Sequence, residues 1–129
     1  MFNLFRGDYK QADGYFIKLN DIFHDQLNFK WEQSFEGGIF LNVKLIIKRE
    51  AQEIETMYYV KPSNMRIYLH YRSCHPQHTF KSIVYSQALQ GILINSREEW
   101  NIEYQKELIN KFLEQVYPLK PINGEFKRA

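Results

Sequence analysis

Between Val60 and Ala88 the chain reads VKPSNMRIYLHYRSCHPQHTFKSIVYSQA, with Lys61, Arg66, Arg72 and Lys81 and no aspartate or glutamate. Tyr68, Tyr71, Phe80 and Tyr85 are interleaved with these cations, and His70, His75, His78 and the single cysteine, Cys74, fall in the same stretch. Cations separated by flat side chains suit a nucleic-acid backbone, because the charges neutralise phosphates while the rings stack on bases or sugars. The competing interpretation is a solvated basic loop whose tyrosines pack on the core. Zinc would accept thiolate and imidazole ligands, but the spacing H-x3-C-H-x2-H matches no standard finger and Pro76 restricts wrapping around one ion; no metal site is expected. Cys74 and His75 are adjacent, so in extended chain they point to opposite sides; His70 or His78 could approach Cys74 in space, but no oxyanion feature accompanies them. No catalytic residue is assigned.

The elements that must hold this stretch follow from periodicity. Tyr15, Phe16, Leu19, Ile22, Phe23 and Leu27 recur at helical spacing, which predicts a helix over 14–27 with Asp13 as its N-cap. His24 lies at the edge of that face and reads as a boundary histidine. Residues 28–34 alternate and predict a strand, with a reversal at 35–38. A second strand is predicted over 39–48, with Ile39, Leu41, Val43, Leu45 and Ile47 on one face, and a third over 53–60. Pro62 ends the ladder. Helical spacing resumes near Thr79 with Phe80, Ile83, Val84, Gln87, Ala88 and Ile92. Gly91 weakens that helix by about 1 kcal/mol relative to Ala. Ser96 with Glu99 reads as a capping box for a further helix from Arg97, carrying Trp100, Tyr104, Leu108 and Phe112 and ending at Tyr117-Pro118. The fold class is α+β: one helix and a three-stranded antiparallel meander over 13–60, then a two- to three-helix part over 61–117 of helix-turn-helix-like form. Residues 1–12, with Phe2, Leu4 and Phe5, and residues 118–129 read as arms, the latter fraying or holding a short helical turn.

The ordered run Lys61, Pro62, Tyr68, Leu69, His70, Tyr71, Ser73, Cys74, His75, Pro76, His78, Ser82, Ile83, Tyr85, Ser86, Gln87, Leu89 resembles a block that follows the palm in reverse transcriptases of Penelope-like retroelements. The resemblance extends more weakly over roughly residues 15–120. It implies the last palm elements followed by the start of a thumb that grips a primer–template duplex, RNA–DNA or DNA. It implies a nucleic-acid surface of Lys61, Arg66, Tyr68, His70, Tyr71, Arg72, His75, His78 and Lys81. The family's metal-binding Y-x-D-D hairpin is not in the chain; Asp8, Asp13, Asp21 and Asp25 are scattered. The resemblance therefore implies a fragment that begins after the catalytic hairpin, is inactive alone and binds no cofactor, with Mg²⁺ expected only in a complete parent polymerase and the rest of that polymerase as a partner.

Two departures bear on function. Asn42 stands where the family has an acid, and Gln90-Gly91-Ile92-Leu93-Ile94-Asn95-Ser96, with apolar residues at its centre, stands where it has a run of arginines. These favour an alternative, a decayed or repurposed remnant that docks on another protein through Trp100 and Ile92–Ile94.

The composition limits the remaining classes. A chain of 129 residues forms one domain or part of one. With 44% hydrophobic and 16% aromatic residues it is not disordered by composition. The net charge of +2 leaves local clustering to carry any case for nucleic acid. One cysteine fits a reducing compartment, and no apolar run suits a bilayer span. Without a signal-peptide pattern at the start, cytoplasm or nucleus is expected.

Overall fold

The computed structural model of the chain describes residues 6–24 and 26–129; the expectations for Phe2, Leu4, Phe5 and Asp25 lie outside them. The elements run α1 (Tyr9–Phe23), β1 (Gly37–Phe40), β2 (Val43–Lys48), β3 (Glu53–Tyr58), α2 (Gln77–Ile94), α3 (Glu98–Glu114) and α4 (Leu119–Arg128). The α+β class stands: a helix, a three-stranded antiparallel sheet of order β1-β2-β3, then helices.

Helix α1 begins a turn and a half before the predicted start. Asp8, not Asp13, is its N-cap: the Asp8 carboxylate accepts the Gln11 N–H at 2.8 Å and the Gln11 side chain returns to the Asp8 N–H at 3.3 Å, satisfying two otherwise orphaned donors. Asp13 serves instead as an anchor for the segment that follows, accepting from Trp31 Nε1 at 3.0 Å and from the Gln33 amide. That segment, 28–34, is not a strand; it is held to α1 by the Phe29 backbone and the Trp31 and Gln33 side chains. Asn20 exchanges hydrogen bonds with both the N–H and the carbonyl of Phe29, at 2.7 and 3.0 Å, and Trp31 stacks on Phe16 at 5.1 Å.

The long strand predicted over 39–48 is two strands. Phe40 pairs with Val43, leaving Leu41 and Asn42 as a two-residue turn in which Leu41 takes φ 55°. A positive φ at the first turn position is normally glycine's, so the sequence carried no turn signal there. The turn also moves Phe40, not Ile39, onto the face of Val43, Leu45 and Ile47. Gly37 opens β1 at φ 128°, where an added Cβ would collide with the Leu45 carbonyl.

The main core lies in the helical part. Phe80 and Val84 of α2, Tyr104, Leu108 and Phe112 of α3, Tyr117 of the linker and Ile122 of α4 are all buried. Gly91 has a packing reason: the Tyr104 ring occupies the space a Cβ would need. The sheet joins this bundle through the edge of β3, where the α2–α3 linker acts as a surrogate strand. Tyr58 N–H donates to Asn95 Oδ1 at 2.8 Å, Ser96 N–H to the Thr56 carbonyl at 2.9 Å, and Thr56 Oγ1 to the Ile94 carbonyl at 2.6 Å. This corrects the predicted capping box. The Ser96 hydroxyl is spent on Thr56, and the N-cap of α3 is Arg97 with no side-chain cap. The second correction is at the end of the chain, where residues 119–128 form a ten-residue helix with Ile122 fully buried.

Candidate nucleic-acid interface

The structure divides the nine basic and aromatic candidates into an inward and an outward set. Arg66 points inward. Its guanidinium is 5.4 Å from the Tyr58 ring and 5.3 Å from the Tyr104 ring, and Nη1 donates to Glu107 at 3.0 Å. With 11% of its side chain exposed, it is committed to the fold. Tyr68 packs on Phe112 at 4.8 Å and donates to Gln87 at 3.1 Å; burial pushes its phenol up to about 12. Tyr71 lies between Phe80 and Tyr117, at 5.0 and 5.3 Å, and donates to Gln77. Both tyrosines pack on the core and so position the turn.

Lys61, His70, Arg72, His75, His78 and Lys81 face outward. The turn over 70–75 is held by local bonds: the Arg72 N–H donates to His70 Nδ1, the Ser73 hydroxyl to the His70 carbonyl, and His75 Nδ1 meets Ser73 Oγ at 3.1 Å. Both histidines thus have a ring nitrogen engaged in the turn. Among the described residues no group of three or more His, Cys, Asp or Glu could hold a metal ion. His78 and Lys81, three residues apart, share a face of the first turns of α2.

The turn is tied to the junction between α3 and α4. Tyr71 N–H donates to the Gln115 carbonyl at 3.1 Å, and the Tyr117 hydroxyl to the Leu69 carbonyl at 2.7 Å. Helix α3 ends in a Schellman motif: Tyr117 N–H bonds the Phe112 carbonyl and Val116 N–H the Leu113 carbonyl, both at 3.0 Å. Val116 takes φ 65° at the left-handed position, and the accompanying apolar contact is Tyr117 on Phe112 at 4.9 Å. Pro118 then caps α4. Four residues thus reverse the chain between two helices that share a core.

Helix α4 supplies residues that the sequence pattern did not single out. Ile122 is buried and Phe126 half-buried against the core, while Lys120, Asn123, Gly124 and Lys127 are exposed. Their spacing of i, i+3, i+4 and i+7 places them on one face. The only acid of α4, Glu125, is 13% exposed and turned aside, 3.4 Å from Arg128. Arg128 covers Tyr85 of α2 at 4.9 Å, and Lys81 of α2 shares a small cavity with Pro121 and Glu125 of α4. Lys81 of α2 and Arg128 of α4 therefore both lie along the seam where the two helices pack, beside the basic face of α4. The available sequence signal was Pro118 followed by apolar residues at 119, 122 and 126 with lysines between them. By contrast, α3 exposes Glu98, Glu99, Glu103, Glu107 and Glu114.

Comparison with known proteins agrees with this geometry. Residues 67–127, just under half of the chain, match the animal helix-turn-helix domain. They span α2, α3 and α4 together with the turn that precedes them. No curated protein and no solved structure matches the chain. Among the described residues no helix is long and apolar enough to cross a membrane.

Proposed function

We propose that the helical part binds double-helical nucleic acid, with α4 entering the major groove and the outward cations of α2 and its preceding turn gripping the flanking backbone. The observation that carries this is the acid-free face of Lys120, Asn123 and Lys127 on the last helix of a helix-turn-helix match. In such units the second helix of the motif lies in the major groove with its polar side chains on base edges. Lysine suits guanine O6 and N7, and asparagine suits adenine N6 and N7. Helix α3 is unsuited to that position, since its five exposed glutamates would be pressed against phosphates.

Lys61, His70, Arg72, His75, His78 and Lys81 are the backbone contacts in this reading, and Arg66, Tyr68 and Tyr71 hold the turn in place. The likeness of residues 61–89 to a reverse-transcriptase thumb supports a primer–template duplex, RNA–DNA or DNA, as the nucleic acid. It also supports an origin as a non-catalytic piece of a polymerase that binds without turnover.

The test is fluorescence anisotropy with a labelled DNA duplex and an RNA–DNA hybrid, titrated with salt. Binding should weaken linearly in log–log form, and replacing Arg72 and Lys81 by Ala should reduce the magnitude of the slope by roughly 0.9 for each phosphate that is no longer neutralised. Lys120→Ala with Lys127→Ala should weaken binding independently, with a smaller change of slope and a loss of preference between duplex sequences. Salt-insensitive binding, or binding indifferent to both pairs, would refute the assignment.

A further inference from the structure

A second site lies where α3 meets the sheet. Met57 and Tyr58 of β3, Arg66, Asn95, and Trp100, Glu103, Tyr104 and Glu107 of α3 line an open cavity of about 210 Å³. Drug-sized ligands occupy sites of roughly 300–1,000 Å³. This one is smaller, of a size that suits one long side chain.

The walls select a cation. Trp100, Glu103, Tyr104 and Glu107 follow helical spacing, so an indole, a phenol and two carboxylates form one stripe of α3. The chain already seats guanidinium groups around this cavity in two places. Arg66 lies over Tyr58 and Tyr104 with Glu107 as its partner. Arg97 lies 5.0 Å from the Trp100 ring centroid and donates to Glu55 through Nε at 2.7 Å and Nη2 at 2.5 Å. After these pairings Glu103 is left over: among the described residues it has no ion pair or hydrogen bond. Glu99, exposed one turn earlier on the same face, extends the negative field along the helix, with the exposed cation Lys106 at its edge. An anionic ligand would meet this excess of carboxylates, whereas a planar cation would gain from both ring and carboxylate.

We propose that this cavity receives an arginine side chain from an extended basic segment of a partner protein, with the guanidinium against Trp100 and its N–H groups on Glu103. The charge complementarity of the acidic face of α3 fixes the sign of the partner, and the cavity volume limits it to one anchoring side chain. This site is separate from the basic face of α4 and does not depend on nucleic-acid binding.

The experiment is isothermal titration calorimetry of the full chain with an acetylated, amidated peptide of alternating arginine and glycine. A glutamate-for-arginine peptide is the control, and sedimentation velocity monitors self-association. Saturable binding of the arginine peptide alone is expected. Glu103→Gln, an exposed and fold-neutral change, should weaken it by about tenfold, as for loss of one charge-assisted hydrogen bond, while Glu114→Gln on the same helix should not. Trp100→Phe should weaken it less than Glu103→Gln, because a smaller ring remains. No binding up to millimolar peptide overturns the proposal, as does binding untouched by Glu103→Gln. A chain dimer that Glu103→Gln dissociates would assign the cavity to a second copy and overturn the partner named here.

Discussion

Helices α3 and α4 are built on one plan inward and on opposite plans outward. Each inserts large apolar groups into the same core, Tyr104, Leu108 and Phe112 from one and Ile122 from the other, and four residues join them. Outward, α3 shows five glutamates against exposed Lys106 and partly exposed Lys111, where α4 shows Lys120, Asn123, Lys127 and Arg128. Burial accounts for the shared plan; it does not require the segregation of charge. A molecule with a net charge of +2 thus presents two faces of opposite sign within a few Debye lengths of one another, roughly 10 Å each at 0.1 M salt. Like-charge repulsion would turn a polyanion away from the glutamates of α3.

The harshest way to break the comparison is to remove what both helices share. Ile122 is fully buried, so Ile122→Ala should cost about 2–5 kcal/mol, in the range of large-to-small core changes. Thermal unfolding should show a large fall in Tm with one transition. An unchanged Tm would mean that α4 is a detachable arm, as its breaker-rich sequence suggests.

Exchanging the outward charges should be nearly as severe for binding and mild for folding. Lys120→Glu with Lys127→Glu should weaken duplex binding by at least about a hundredfold, since a good base contact is worth about 1–3 kcal/mol. Glu98→Gln with Glu103→Gln should leave it equal or slightly tighter. If both pairs weaken binding alike, the contrast between the helices has no functional meaning.

The junction between the two helices should be sensitive to alkali. Burial raises Tyr68 to about 12 and holds Tyr104 and Tyr117 above the usual phenol range. A phenol whose folded pKa exceeds its unfolded value of 10.0 stabilises the fold fully below that value and loses the contribution as pH rises through the folded one. Tyr68 should contribute on the order of 1 kcal/mol after discounting its solvent-facing part, and Tyr68→Phe should blunt the loss between pH 10 and 12 in a chemical-denaturation series. The sheet side has the opposite sign. Hydrogen bonds from Lys48 and then Arg97 lower Glu55 below 4.5, so its contribution is present above 4.5 and fades as pH falls through the folded value. Glu55→Gln should flatten the acid limb only.

These contrasts show what the sequence could and could not reveal. The α+β class, the α2 and α3 helices and the ring-rich core were legible because burial imposes periodicity on Phe80, Val84, Tyr104, Leu108 and Phe112. The basic stretch was also legible as a composition. Composition does not say which side of the chain a residue faces, however. Arg66 turns inward because Tyr58, Tyr104 and Glu107 converge on it from β3 and α3, a tertiary fact with no local signature. Ser96 had the spacing of a cap, and a distant strand edge claimed its hydroxyl. The Leu41-Asn42 turn lacked a glycine, and α4, with Pro121 and Gly124 inside it, looked like a frayed tail. Pro121 sits in the first helical turn, where a missing N–H costs little, and burial of Ile122 supplies the rest.

The finest way to sharpen the comparison is at Val116, the residue on which the chain pivots from the acidic helix to the basic one. Its φ of 65° is the left-handed conformation that glycine usually supplies after a helix. A β-branched residue there is a steric outlier, and the left-handed region costs an L-residue roughly 1–2 kcal/mol. The Schellman bonds and the contact of Tyr117 on Phe112 outweigh that cost. Val116→Gly removes the strain while leaving both backbone bonds possible, at the expense of a more flexible unfolded chain, which takes back roughly 0.4–1 kcal/mol. The residue is 41% exposed, so only part of an isopropyl group's burial is forfeited. The net expectation is a gain of about 0.5 kcal/mol by urea denaturation, with duplex affinity unchanged because the exit direction of α4 is set by the bonds and not by the valine. Val116→Ala keeps the Cβ and should not show this gain. A glycine variant that is less stable, or that loses duplex binding at full stability, would show that the strained valine itself aims α4.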